Sequence, residues 1–224
     1  MKRTLTDYQL ILFDMDGTLY FQRPLQFHMG MKMAASCLSR QGLKEIMIIL
    51  KFRKLREHWQ KSAQIHDNID IDHAQYSELA ASCNVSAEAI ERIVQKWIYE
   101  KPLDILRKYR DDKLLALIES LTNQKKQVVI YSDYPAQDKR NALQLPPLPC
   151  FYGGQPEIGC MKPDPKGILT IMSHYNIQNP SDVLMIGDRE SKDGRAASAA
   201  GTDYLILKRY KLLRSRQYKE LFAK

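Results

Sequence analysis

The sequence predicts an α/β fold: a doubly wound parallel sheet with an all-helical domain inserted after its first strand. Three observations carry this expectation. Short apolar runs that end in polar or glycine-containing turns recur at Leu10–Phe13, Val128–Tyr131, Val183–Ile186 and Tyr204–Leu207, as strands buried on both faces do. Helical patterns lie between them, at Leu114–Leu121 before the second run and Gly167–Tyr175 before the third, giving the alternation a parallel sheet needs. From Tyr20 to Lys108, by contrast, the periodicity is helical throughout and no convincing strand interrupts it.

Taken in chain order, the first strand is followed by the helical stretch, which sets the expected boundaries at 1–19 and 109–224 for the sheet domain and 20–108 for the inserted one. Within the insertion a helix is expected from Leu43 to about Gln60. It mixes apolar Ile46, Met47, Ile49 and Leu50 with basic Lys51, Arg53, Lys54 and Arg56, and those charges read as a solvated face in preference to a rim that attracts substrate. A second helix starts at the candidate N-cap Ser86 and sets Ile90, Ile93, Val94, Trp97 and Ile98 on one side, a core stripe. Beyond the second strand, Cys150–Tyr152 reads as a shorter strand and a helix can begin near Pro165. The helix around Ala196–Ala200 meets Gly201, a plausible C-cap. No internal repeat or low-complexity tract is evident.

Bulk properties narrow the function classes. With 224 residues, 44% hydrophobic and 27% charged, the chain can bury a substantial core, which excludes a disordered protein. Its four cysteines, Cys37, Cys83, Cys150 and Cys160, form no Cys-x-x-Cys pair and suggest reduced thiols, neither a zinc site nor a disulfide framework. The apolar stretch Leu10–Phe13 is stopped by Asp14, far short of a secretory or membrane-spanning segment, so a cytoplasmic protein is expected. The net charge of +8 is local: Lys208–Lys224 holds seven basic residues against one acidic, a net of +6, and the rest is nearly balanced. That tail is expected to be a solvated amphipathic helix closing the domain, in preference to a patch for RNA or an anionic surface.

The chemistry-bearing residues stand at strand ends. Asp14-Met15-Asp16-Gly17-Thr18 follows the first strand, where a turn lets two acids two positions apart face the crevice at the carboxyl edge of the sheet. One carboxylate can attack phosphorus while the other protonates the leaving oxygen and then activates water. Ser132 and Asp133 end the second strand, and the Ser132 hydroxyl could bond a phosphate oxygen. Lys162, in Lys162-Pro163-Asp164-Pro165, offers a stiffly held ammonium to offset repulsion between two anions. Gly187-Asp188-Arg189-Glu190-Ser191-Lys192-Asp193 supplies further acids which, with Asp14, could hold a hard divalent cation such as Mg2+. Each feature alone is weak; the ordered set, with acids first and last and lysine between, is specific.

That set resembles the four signature motifs of the haloacid dehalogenase superfamily. They are matched by Asp14-Met15-Asp16-Gly17-Thr18, by Ser132, by Lys162 with Pro163 and Pro165, and by Gly187-Asp188 with Asp193. The stretch after Tyr20 is similar to the helical cap that many members, including the phosphoglycolate-phosphatase-like subgroup, carry between the first two motifs. The resemblance implies Asp14 as nucleophile and metal ligand, and Asp16 as general acid and base with its backbone carbonyl on Mg2+. It implies Thr18 as support for the loop, Ser132 and Asp133 in the substrate site, and Lys162 orienting Asp14 and neutralising charge. Asp188 would be a direct metal ligand and Asp193 a ligand directly or through water. The spacing leaves Glu190 open as a competitor to Asp193.

Within that family Asp16 favours phosphate ester hydrolysis, since dehalogenating and phosphonate-cleaving members typically lack an acid there. The expected activity is hydrolysis of a small phosphorylated substrate through an aspartyl phosphate. A phosphomutase is the alternative on the same scaffold, and a non-catalytic binding protein using the basic tail is the alternative of another class. Residues near Tyr20–Gln26 and on the inner face of the cap are expected to choose the leaving group. His28, His58, His66, His73 and His174 show no metal-ligand spacing, and none is given a catalytic role.

Overall fold

In the computed structural model, which describes residues 4–62 and 70–221, Leu10–Phe13 form β1 at the centre of the sheet. All four side chains are closed off from solvent, as a strand covered on both faces must be. β2 (Gln127–Ser132), β3 (Cys150–Tyr152), β4 (Val183–Gly187) and β5 (Asp203–Ile206) complete a five-stranded sheet in the order β3-β2-β1-β4-β5. Every pairing is parallel, with Leu10 opposite Gln127 on one side and Val183 on the other. The strand order therefore reverses beside β1, the place where open α/β sheets form a ligand crevice at the strands' carboxyl ends.

Among the described residues ten α-helices accompany the sheet: α1 (Gln22–Ser36), α2 (Arg40–Ser62), α3 (Ile71–Cys83), α4 (Ala87–Val94), α5 (Leu103–Leu106), α6 (Asp112–Asn123), α7 (Gln137–Ala142), α8 (Lys166–His174), α9 (Arg195–Ala200) and α10 (Lys211–Leu221). Alternation along the strands divides the interior. Ile11, Phe13, Val128, Ile130 and Ile186 join Leu114 and Ile118 of α6, whereas Leu10, Leu12, Val129 and Met185 join Ile168 and Ile171 of α8 and Ala196 of α9. Each large aliphatic side chain so buried contributes roughly 1.5–3 kcal/mol relative to an exposed one. The observed strands reach one residue beyond the apolar runs at Gln127, Ser132, Gly187 and Asp203, because the backbone ladder continues through polar residues that hydrophobicity does not mark.

Helices α1 to α5 occupy the stretch between β1 and β2. Ser86 caps α4, its Oγ accepting from Ala89 N at 3.3 Å, and Ile90, Val94 and Trp97 are buried while Ile93 and Ile98 lie half-buried. The α2 expectation needs two corrections. Met47 and Leu50 are 54% and 58% exposed, so they do not share the buried side of Ile46 and Ile49. Arg56, assigned to the solvated face, is 1% exposed and points inward to Asp72. Buried carboxylates supply what periodicity cannot show, since an arginine enters a core only where charge partners await it.

The chain leaves and re-enters the sheet region along one track: Tyr20 and Arg110 form an antiparallel bridge, Phe21 N donates to Tyr109 O at 2.8 Å and Asp111 N to Leu19 O at 3.0 Å. The tail forms α10 as expected, but Arg214 on it is wholly buried and Tyr218 nearly so, which corrects the picture of a merely solvated helix. His66 lies outside the described residues, as does the end of the tail from residue 222.

Candidate active site

Asp14 stands at the end of β1, still in the ladder through its N–H to Ile186 O at 2.9 Å. The chain then turns, with Thr18 N and Leu19 N both donating to Met15 O. Gly17 has φ +95°, and a Cβ there would come within 2.6 Å of Asp188 Oδ2, so both the turn and the close approach call for glycine. The turn brings Thr18 Oγ1 back to Asp14 Oδ2 at 2.9 Å, and the other carboxylate oxygen faces Lys162 Nζ at 2.6 Å.

Lys162 is 1% exposed and uses its three donors on Asp14 Oδ1 and Asp193 Oδ1, both at 2.6 Å, and Tyr131 O at 3.3 Å. Asp193 is locked from its other oxygen, which accepts from Arg189 N at 3.0 Å. It also sits so close to β4 that a Cβ on Gly187 would meet its Cγ at 2.3 Å. Asp188 lies 3.3 Å from Arg209 Nε and 3.7 Å from Arg189 Nε. Asp14, Asp188 and Asp193 each offer an oxygen, all within 4.8 Å of one another. Glu190, the competitor left open by spacing, turns away, and its Oε1 accepts from Tyr204 Oη at 2.7 Å.

Asp14 and Asp193 share one ammonium, that of Lys162, while Asp188 beside them faces Arg209 and Arg189. Burial, with the charge of Asp193 adding to it, pushes the Asp14 carboxyl up to about 8 even though Lys162 pulls it down. Burial likewise raises Asp188, against the pull of Arg189. Lys162 is held well above the usual lysine range, because Asp14, Asp193 and Asp133 outweigh the burial that would lower it. The oxygens that Asp14, Asp188 and Asp193 bring together are the donor type a hard divalent cation takes, and its charge would offset the burial that raises Asp14 and Asp188.

Asp16 lies in the same crevice, its Oδ1 accepting from Lys139 Nζ at 2.6 Å and from the Tyr20 hydroxyl. Burial would raise its carboxyl, but Lys139, helped by Tyr20, holds it below the usual range. Ser132 is buried and its Oγ accepts from Tyr134 N at 3.2 Å, which leaves its own hydrogen free to point elsewhere. Asp133 is a junction. Its Oδ1 accepts from Lys162 N at 3.0 Å, its Oδ2 from Gln60 Nε2 at 3.0 Å and Lys192 Nζ at 3.1 Å, and its carbonyl from Arg56 Nη2 at 2.6 Å.

All eight residues expected from the sequence thus surround one crevice or its supporting loop, of roughly 370 Å³, whose charged floor faces an apolar wall that includes Leu25, Met29, Met33 and Trp97. Sequence reasoning missed Lys139, Arg189, Lys192 and Arg209 and misplaced Arg56. Lys192 and Arg189 lie inside the last motif, where basic residues among acids were a usable signal. Lys139 carried none, because it is the fold of α7 against the Asp16 loop that makes it a partner.

The sequence profile of the haloacid dehalogenase-like hydrolases matches residues 8–201, and the chain belongs to that family. It is accordingly a hydrolase of the haloacid dehalogenase superfamily on a Rossmann-like α/β core. No curated protein matches the sequence. Among solved structures, it is similar to a 2-haloacid dehalogenase from Pseudomonas syringae pv. Tomato DC3000, with TM-score 0.56, 15% identity, and 89% of this chain and 86% of that chain covered. It is also similar to a Thermotoga maritima protein provisionally assigned as a β-phosphoglucomutase, with TM-score 0.54, 17% identity, and coverage of 89% and 85%. A third is YfnB of Bacillus subtilis, provisionally assigned as a family hydrolase and solved bound to magnesium, with TM-score 0.56, 14% identity, and coverage of 96% and 98%. At these identities the likeness shows the fold alone.

Proposed function

We propose that the protein is a Mg2+-dependent phosphomonoester hydrolase that acts on a small phosphorylated metabolite through an aspartyl phosphate. The single observation that carries this reading is Asp16: a second, half-buried carboxylate two residues from Asp14, in the same crevice, with its own lysine partner at 2.6 Å. Expelling a halide needs no proton, whereas an ester oxygen leaves as a poor anion unless an acid supplies one.

An oxygen of Asp14 attacks phosphorus, the phosphorus–ester oxygen bond breaks, and the departing oxygen takes a proton from Asp16; because Lys139 keeps free Asp16 ionised, that proton comes to Asp16 from the monoanion of the incoming phosphate ester. Ionised Asp16 then removes a proton from water as that water attacks the phosphorus of the Asp14 acyl phosphate, which frees Asp14 and releases phosphate. Lys162 holds the nucleophile in place and offsets the charge of the incoming phosphate, Ser132 donates to a phosphate oxygen, and Thr18 and Asp133 keep the walls of the site in register. Asp14, Asp188, Asp193 and the Asp16 backbone carbonyl are the groups that would hold Mg2+, which supplies charge stabilisation to the transferring phosphoryl group. We assign residues 20–108 as a cap over the crevice and 1–19 with 109–224 as the catalytic domain. The apolar wall then selects the carbon part of the substrate. No helix among the described residues is long and apolar enough to cross a membrane, and the four cysteines are free thiols, in keeping with work in the cytoplasm.

The test is release of phosphate from an aryl phosphate, with 2-chloropropionate as the halide-releasing comparison. Turnover of the aryl phosphate that stops with a chelator and returns with added Mg2+ is expected, with no halide release. Halide release, or phosphate release indifferent to the chelator, contradicts the reading.

A further inference from the structure

The most deeply buried charge outside the crevice is Arg214, which α10 carries from the basic tail into the interior with 0% exposure. It is not idle there. Its Nη2 donates to Gly17 O at 2.7 Å and its Nη1 to Thr18 O at 2.8 Å and Asp111 Oδ2 at 3.2 Å, while its Nε donates to Lys208 O at 2.6 Å. The guanidinium carbon also rests 5.0 Å from the centre of the Phe21 ring. Gly17 and Thr18 belong to the loop that bears Asp14 and Asp16, and their carbonyls have no place in β1 or in a helix. Without Arg214, two buried carbonyls of the turn would lose that donor and the Asp111 carboxylate its cation together.

Asp111 extends the contact. It stands where the chain returns from the helical segment, paired through its N–H with Leu19 O, and its Oδ2 also accepts from Tyr218 Oη at 2.8 Å. Arg214 thus joins three parts at one point: the loop of the two acids, the crossing by which the helical segment departs and returns, and the C-terminal helix. A second tail residue, Arg209, reaches Asp188 itself.

We propose that Arg214 is a positioning residue of the active site, fixing the Asp14–Leu19 loop so that Asp16 is aligned for proton transfer, and that α10 is thereby part of the catalytic domain. The proposal rests on the phosphatase reading for its kinetic consequence and on geometry alone for the brace. Lysine cannot replace the fork, because a single ammonium cannot span the two loop carbonyls, Lys208 O and Asp111 at once. Misplacing the acid harms an ester with a poor leaving group more than one with a good leaving group, since only the first needs the proton. A simple loss of folded protein would harm both alike.

The experiment compares the full chain with Arg214→Lys in two ways: hydrogen exchange across residues 14–19, and kcat/KM for p-nitrophenyl phosphate against a simple alkyl phosphate. Faster exchange in the loop is expected, together with a loss on the alkyl ester about ten-fold greater than on the aryl ester and carried by kcat. Asp111→Asn, which keeps the carbonyl contacts but removes the anchoring charge, gives a milder version of the same two changes should the lysine variant not fold. Ile171→Val, a methyl deletion in the opposite core, lowers the melting temperature without altering the ratio. Unchanged loop exchange, or equal losses on both esters, overturns the proposal. Absence of wild-type turnover on either ester would defeat the phosphatase reading instead, and exchange alone would then decide the brace.

Discussion

Replacing Arg56 by methionine tests whether the helical segment is fastened to the sheet by a buried charge. Arg56 meets the Asp72 carboxylate and Gln75 Oε1 (3.0 Å) on α3 and donates to Asp133 O at 2.6 Å at the end of β2. Its guanidinium carbon lies 4.2 Å from the centre of the Tyr134 ring. Burial would lower the guanidinium's affinity for its proton, but Asp72 more than compensates and raises it. Methionine fills much of the same volume, so the cost is chiefly electrostatic: Asp72, 8% exposed, is left without its cation, and the Asp133 carbonyl without its donor. Removing one partner of a buried pair costs about 3–5 kcal/mol. For a chain of this size each kcal/mol moves the melting temperature by about 2–4 °C, so a fall of roughly 6–20 °C is expected. Urea denaturation of Arg56→Met and of Arg56→Met/Asp72→Leu measures it, and the double variant recovers most of the loss because no charge is left unpaired. A single-variant cost below about 1 kcal/mol, the worth of an exposed pair, would refute this account of Arg56.

Three further outcomes follow from the charge environment. Burial, with Asp164 second, pushes the Cys160 thiol up to about 12, so at pH 8 iodoacetamide labels it far more slowly than Cys37 in the native protein; equal rates would contradict its placement. Since an unfolded thiol ionises near its ordinary 9 and the folded one does not, Cys160 leaves stability intact below pH 9 and erodes it as pH rises towards 12. Lys139→Met removes the largest influence holding Asp16 down against burial, so the Asp16 carboxyl rises and the limb it governs in the pH–rate profile moves to higher pH. A limb that stays put or moves acid would show that Lys139 does not set this proton.

The middle of the sheet was legible because β1, β2 and β4 are buried on both faces and read as apolar runs, from Leu10–Phe13 to Val183–Ile186; the expectation of a doubly buried strand at Tyr204–Leu207 needs correction, since β5 is an edge strand with Tyr204 exposed. The acids and serine at the ends of those strands were legible for the same reason: once the strands are placed, the first residues beyond them share one edge, whereas Lys162 comes from the loop between β3 and α8 and is not at a strand end. Arg56, Lys139 and Arg214 were not legible, because a basic side chain reads as solvated unless its partner is known. Each partner here is remote in sequence: Asp72 and Asp133 for Arg56, Asp16 for Lys139, Asp111 and the Gly17–Thr18 carbonyls for Arg214. Periodicity also failed on α2, where Met47 and Leu50 are apolar yet exposed. The choice between Asp193 and Glu190 needed the turn after β4, which no spacing rule supplies.

Direct detection of a phosphoryl group on Asp14 puts the reading at greatest risk. Acid quenching during turnover of an aryl phosphate, followed by mass analysis of the peptide spanning residues 10–23, is expected to show that peptide heavier by one phosphoryl group in the wild-type chain and unmodified in Asp14→Asn, which also releases no phosphate. Steady release of phosphate by Asp14→Asn, or a phosphoryl group trapped on any other side chain, would contradict it.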